Sequence, residues 1–311
     1  MKKSEFSLIG DIAKMFGELP HNGFEPIGDD CTVLDMGADA LVISTDMLVE
    51  DVHFLRGAST PEEVGYKSLM VNLSDVAAMG ATPTAVLLSL SLSEAAQGDW
   101  VEGFMRGFYE GCSKYGVALV GGDTTSSRDR IVINVVAIGR APKANIKRRS
   151  AAKVGDLICV TGKLGASSKG LVDIMFGDLN TPAARIHRRA QARIEEGKLL
   201  GACEAVHAMM DVSDGIASDI KHIMEQSGVG AEIYLDVVPT DYDIRYATTG
   251  GEDYELLLTV DTRHFVEVAE ALRTKTETPL TAIGRITEGG ALVWLDNGAP
   301  ADIELRGFTH F

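Results

Sequence analysis

The chain has 311 residues, 45% hydrophobic and 24% charged, which suits two cored domains with an ordinary globular surface. Its formal net charge of −16 argues against general nucleic-acid binding, which needs a basic surface, but not against small phosphorylated ligands held through divalent cations. No apolar run approaches the roughly 20 residues of a membrane span. Glu5, Asp11 and Lys14 interrupt any signal-peptide core, and four dispersed cysteines (Cys31, Cys112, Cys159, Cys203) with no CxxC pair fit reduced thiols in a cytoplasm.

In chain order, "ALVIS" (40–44) reads as a strand with Thr45 and Asp46 at its end. A helix follows, capped by Thr60, with Pro61 in its first turn and Glu63 completing a capping box. Leu69, Leu73 and Val76 give it an apolar face, Asn72 and Asp75 share another, and Gly80 is a stop. The segments 85–92, 117–120 and 131–139 read as strands, the third-named element between them being a helix over 99–115; the strand at 117–120 runs into "GGDTTSS". A basic stretch, "RAPKANIKRRSAAKVGD", marks a domain boundary near Ala144, dividing the chain into 1–143 and 144–311. Beyond it come a strand in "DLICV", a Gly-rich loop "TGKLGASSKG", helical segments over 171–176 and 184–209, and a helix over 216–226. Strands in "AEIYLDVV", "YELLLTV", "LTAIGRI" and "ALVWL", with a helix over 265–272, complete the chain.

The acids gather at element ends and glycine turns: Asp29 and Asp30 in "IGDDCTVL", Asp46 in "ISTD", Asp75 in "NLSD", and Asp123 in "VGGDTT". Asp211 and Asp214 in "DVSDG" and Glu252 and Asp253 in "GGED" complete the set. Any one of them alone reads as a turn, a cap or a solvated side chain. Repetition at five places points to converging carboxylates, which repel unless hard divalent ions such as Mg2+ bridge them to substrate phosphates. The Gly-rich loop either turns N–H groups toward an anion or is a plain strand-to-helix turn. Walker A, GxGxxG, protein-kinase and GxSxG patterns are absent. Lys147, Arg148 and Arg149 read either as a solvated linker or as supplying a phosphate contact; His53 alone reads as a buried histidine. The residues by themselves therefore lead to a two-domain α/β enzyme that uses divalent metals on phosphorylated ligands.

Together, "FSLIG", "IGDDCTVL", "STDMLVEDVHF", "NLSDVAAMGATP", "GGDTT", "TGKLGASSKGL", "DVSDG", "GGEDYEL" and the terminal "GFTHF" resemble the thiamine-monophosphate kinase family, over essentially the whole chain. That family lies within the ATP-binding superfamily of aminoimidazole ribonucleotide synthetases. The resemblance implies an α+β fold of two domains, the N-terminal ones pairing into a homodimer with a shared β-barrel. It implies ATP-dependent phosphorylation of thiamine monophosphate to thiamine diphosphate. It also implies Mg2+ at Asp30, Ser44, Thr45, Asp46, Asp75, Asp123, Asp211 and Asp214. ATP would meet Gly121, Gly122, Asp123, Arg149 and Ser213, and the thiamine pocket would hold His53, Glu252 and Phe308. No general base is expected, because the acceptor is itself a phosphate.

One departure stands out: Ala190 and Ala192 occupy positions where the family usually has proline, in "RIHRRAQARIEEGKLL". Two rival readings follow. A sibling synthetase is disfavoured by "STDMLVEDVHF", the "GFTHF" terminus and a chain that ends in Phe311 rather than in a reactive cysteine; Cys31 reads as a small core residue. A silent nucleotide or thiamine-phosphate sensor rests only on the two alanines.

Overall fold

The structure, a computed structural model, describes residues 5–301 together with 305, 307 and 308; Thr309 to Phe311 of the "GFTHF" motif lie outside them. The first half comprises α1 (Glu5–Phe16), β1 (Thr32–Asp35), β2 (Asp39–Val49), α2 (Pro61–Ala78), β3 (Thr82–Leu92), α3 (Asp99–Tyr115), β4 (Ala118–Ser126) and β5 (Val132–Pro142). The second comprises β6 (Leu157–Thr161), α4 (Ala166–Met175), α5 (Pro182–Arg188), α6 (Ile194–Gly201), β7 (Val206–Asp211), α7 (Ile216–Ser227), β8 (Gly230–Tyr234) and α8 (Ile244–Thr249). It continues with β9 (Leu256–Val260), α9 (Phe265–Thr276), β10 (Leu280–Thr287), β11 (Leu292–Asp296) and β12 (Ala299–Pro300).

The first five strands form one sheet in the order β1-β2-β5-β3-β4, with α2 and α3 on one face. Along β2, Ala40, Val42 and Leu48 point to the helices and are buried, as the two-residue period of a strand requires. The sheet is open: β4 pairs only with β3, and all nine of its residues are exposed. Among the described residues no barrel closes. The remaining seven strands form a second sheet, β12-β11-β8-β10-β6-β9-β7. Its central strands are continuous apolar runs because both faces are covered. Ile158, Val160 and Leu257 pack with Ile216, Ile220 and Ile223 of α7 on one face. Cys159, Leu256 and Leu258 pack with Val268 and Leu272 of α9 on the other.

Helix α2 joins the halves. Thr60 Oγ1 accepts the Glu63 N–H at 3.2 Å, and Glu63 accepts the Thr60 N–H at 2.9 Å. Both lock the first turn, with Pro61 pre-set for it. The helix is buried nearly all round. A Cβ at Gly107 of α3 would fall 1.9 Å from the Glu62 carbonyl, so glycine there lets the two helices touch backbone to backbone. On its far side Ala78 enters the core of the second sheet. The polar groups of α2 are thereby held rigidly between the halves.

Several sequence expectations need correction. The helix expected over 184–209 breaks into α5 and α6, followed by strand β7, because "VHAMMD" pairs with β9. The strand expected at 117–120 carries on through "GGDTTS" as β4, since its glycines pair with β3. Only residues 230–234 of "AEIYLDVV" are strand; Leu235–Val237 form a 3-10 turn. The helix expected over 171–176 starts at Ala166, and α1 and β1 were not anticipated. The basic run at the junction is no solvated linker. Lys147 is buried and donates to the carbonyls of Cys203 and Val206 at 2.8 Å each, while Arg148 pairs with Glu25.

Candidate active site

Four pieces of chain bring carboxylates to the seam between the halves. The loop before β1 carries Asp29 and Asp30, β2 carries Ser44 and Asp46, α2 carries Asn72 and Asp75, and the end of β7 carries Asp211. One carboxylate oxygen each from Asp30, Asp75 and Asp211 lie within 4.8 Å of one another. Neighbours fix each rotamer. Ser44 Oγ donates to Asp75, Ser74 Oγ donates to Asp211 at 2.5 Å, and Asn72 Oδ1 accepts the Asp46 N–H at 2.8 Å. Asp75 is thus no solvated helix residue.

The electrostatics are those of acids crowded out of water. Burial, with repulsion from Asp46, Asp211 and Asp30, raises the Asp75 carboxyl well above its ordinary range. Burial, with Asp30 next, lifts Asp211 to about 8. Burial and Asp30 raise Asp46 as well. The single cation among them is Arg149, whose guanidinium donates to Asp30 at 2.6 Å and to the Gly28 carbonyl at 3.3 Å; its own N–H donates to Asp29 at 2.7 Å. Among the described residues five buried side-chain polar atoms lack a partner, and three belong here: Asp30 Oδ2, Arg149 Nε and Asp219 Oδ2. Native interiors rarely leave such atoms unpaired. Two oxygens and one N–H orphaned together fit a ligand that is itself both cation and anion, such as a metal–phosphate complex. The donor set is all oxygen, which suits Mg2+.

Beside the cluster, two loops run antiparallel. Glu252 N donates to the Ser213 carbonyl at 2.8 Å and Tyr254 N to the Val212 carbonyl at 2.9 Å, so "DVSDG" lies against "GGEDY". Gly251 makes this approach possible, since a Cβ there would sit 2.3 Å from the Ser213 carbonyl oxygen. Phe308 N donates to the Asp214 carbonyl at 3.1 Å, and its ring is exposed. Lys67 of α2 is buried; it pairs with Glu252 at 2.9 Å and reaches the His53 carbonyl at 3.4 Å. His53 Nδ1 accepts the Val49 N–H at 3.0 Å. His187 lies 3.4 Å from Glu252 and bonds Ser167 Oγ at 3.0 Å. Burial favours the neutral form of Glu252, but Lys67 and His187 outweigh it and leave the carboxyl below its ordinary value.

Three sequence-derived residues stay apart from the cluster, as does one side chain. Gly121, Gly122 and Asp123 lie on edge strand β4, in a register row Met47–Asn134–Ser89–Asp123 that crosses the whole sheet. Strand spacing of about 4.8 Å puts Asp123 roughly 14 Å from β2. The Thr45 side chain points to the sheet face opposite the helices, where it accepts from Asn134 Nδ2 at 2.9 Å. The Gly-rich loop does not present free N–H groups: Asp253 accepts from Gly165 N at 2.6 Å and Ser167 N at 3.1 Å, so an internal carboxylate already caps α4. Sequence reasoning passed over Lys67, Ser74 and His187. A lysine and a serine inside the apolar run "VGYKSLMVNLSDV" were the available signal for the first two.

The chain matches two family models, the AIR synthase related protein N-terminal domain over residues 28–141 and its C-terminal domain over 153–295. It is 36% identical over 305 residues to the thiamine-monophosphate kinase of Haemophilus influenzae, covering 92% of this chain and 91% of that one. The Bacillus subtilis thiamine-monophosphate kinase is 33% identical, covering 99% of both. A solved structure described as AaThiL complexed with AMPPCP and TMP superposes with a TM-score of 0.86 at 33% identity, covering 100% of this chain and 99% of that one. The thiamine-monophosphate kinase of Stenotrophomonas maltophilia gives 0.76 at 34% identity, covering 97% and 99%. With a seam of buried carboxylates between two such domains, this chain belongs to the AIR synthase related family and, within it, to the thiamine-monophosphate kinases.

Proposed function

We propose that this chain transfers the terminal phosphoryl group of ATP to thiamine monophosphate, giving ADP and thiamine diphosphate. The observation that carries the reading is the cluster of orphaned atoms on Asp30, Arg149 and Asp219 within a knot of buried acids. The full-length likeness to thiamine-monophosphate kinases and to a structure holding AMPPCP and TMP supports it. Asp30, Ser44, Asp46, Asp75, Asp211 and Asp214 would hold Mg2+. When bound, Mg2+ supplies the positive charge that offsets repulsion between two polyanions. The acceptor phosphate has a second pKa of about 6 and is largely dianionic at neutral pH, so no side chain need remove a proton. The residues instead align and neutralise. Arg149, anchored by Asp30, directs its remaining N–H at a phosphate oxygen. Ser213 faces the nucleotide. Glu252, kept ionised by Lys67 and His187, with Phe308 and His53, suits the cationic thiazolium ring. The residues to 143 provide most metal and nucleotide contacts, and those from 144 close the cleft. All four cysteines are free thiols, in keeping with a cytoplasmic setting.

A second copy completes the site in this proposal. β4 is an unpaired edge with Leu119 and Val120 exposed by 45% and 60%, and such edges invite pairing. A homodimer that closes the two open sheets into a barrel would bring Gly121, Gly122 and Asp123 to a metal–ATP complex they cannot reach within one copy. Assay of ADP and thiamine diphosphate from ATP, Mg2+ and thiamine monophosphate tests the reaction, with EDTA and free thiamine as controls. Equal amounts of both products, from the monophosphate only and only with Mg2+, are expected. Absence of product overturns the reading. Sedimentation of Val120→Asp tests the dimer: a monomer that has lost ATP binding is expected, and a fully active monomer refutes the shared site.

A further inference from the structure

The stretch "MDVSDGIASD" holds three aspartates, and the reading above uses two. Asp219, the third, lies in the first turn of α7 and is fully buried. One of its oxygens accepts the Asp214 N–H at 3.4 Å. An acid near a helix N-terminus is commonplace, and that bond alone would make Asp219 a brace for the turn. Its other oxygen is unaccounted for. Oδ2 is buried and has no partner among the described residues. The charges that bear on it are those of Asp214, Asp211 and Arg149, so it faces the carboxylate cluster and not the α7 core. The one cation there, Arg149, is committed to Asp30. A buried carboxylate oxygen with acidic neighbours and no donor is among the costliest arrangements in a protein interior.

We infer that Asp219 completes a divalent-cation site at the DVSDG turn, its free oxygen joining Asp214 and Asp211 around one ion while its other oxygen holds the turn in place. The inference rests on the functional reading above only for the identity of the ion's substrate; the cation site itself stands on the geometry. It also gives the third acid of the stretch a role beyond bracing, since bracing needs one oxygen and the ion uses the other.

The test is Mn2+ binding to the purified full-length chain, followed by electron paramagnetic resonance of the free ion, for wild type and Asp219→Asn. Asparagine keeps an acceptor for the Asp214 N–H and removes the charge. The Mn2+ dissociation constant should rise about 10- to 100-fold for one class of site, the range typical of residues that support a metal centre. The exposed Glu225→Gln on the same helix should leave it unchanged. Wild-type affinity in a folded Asp219→Asn variant overturns the inference and leaves only the brace. Should that variant not fold, Asp219→Glu keeps the charge but displaces the oxygen, and unchanged Mn2+ affinity there overturns it equally. Weakened Mn2+ binding in a protein whose wild type makes no thiamine diphosphate supports this site while refuting the kinase reading.

Discussion

Stripped of divalent ions, this protein should lose stability as pH rises from 5 to 8, the reverse of ordinary acid denaturation. Asp211 is the clearest contributor. Its carboxyl moves from 3.8 to about 8 on folding, because burial and Asp30 outweigh the Ser74 hydrogen bond and Arg149. A group whose folded value is raised binds more protons folded than unfolded. Its stabilising contribution is fully present below about 4 and is lost as pH climbs through about 8. At about 1.4 kcal/mol per tenfold change, the swing from this residue is on the order of 5 kcal/mol, an upper limit because Asp46 and Asp75 share the same repulsion. Asp253, lifted to about 7 by burial, adds in the same direction. The assay is urea unfolding at pH 5, 6, 7 and 8 in EDTA and in Mg2+. Stability should fall across the EDTA series and recover at pH 8 with Mg2+. Asp211→Asn should flatten the EDTA series, since asparagine can still accept from Ser74, and should weaken the recovery. A metal-free stability that rises with pH, or an Asp211→Asn variant with an unaltered slope, would refute the claim that these acids repel one another in the folded chain.

Asp46→Asn and Asp214→Asn should each lower kcat/KM at least 100-fold, about 3 kcal/mol of transition-state stabilisation, as measured by coupled ADP release; full activity in both would sink the metal assignment. Lys67→Met removes the cation that keeps Glu252 ionised and should cost about 3 kcal/mol at pH 8 and less at pH 5, where a Glu252 carboxyl freed to rise takes up a proton. Urea titrations at the two pH values read the difference, and KM for thiamine monophosphate should rise while kcat changes less. Gly251→Ala should separate the DVSDG and GGED loops and abolish turnover with little loss of secondary structure, seen by activity and far-UV circular dichroism. Ala190 and Ala192 are buried, and neither N–H donates a backbone hydrogen bond among the described residues. Proline at either position should therefore leave kcat within about twofold and raise stability by about 0.5 kcal/mol by restricting the unfolded chain; thermal melts check it.

By itself the sequence determined which residue types gather and at what kind of place. A capping box at Thr60 and Glu63, apolar runs such as "LLLTV", and acids just past strand ends are local patterns, and local rules read them correctly. What it could not decide was which acids share one point in space. Asp30, Asp75 and Asp211 are 45 and 136 residues apart along the chain, yet their oxygens meet within 4.8 Å. They meet because α2 is clamped by α3 on one side and docks on the second sheet on the other. The pleat alone turns Thr45 away from Ser44 and Asp46, and strand order alone carries Asp123 to the far edge of the sheet. The same holds for "VHAMMD", whose place as a strand follows from its pairing with β9 and not from its own propensity. The anion that the Gly-rich loop was read to bind is the chain's own Asp253, 88 residues from Gly165. Convergence over such separations follows from packing between distant segments, and no local pattern in the sequence records it.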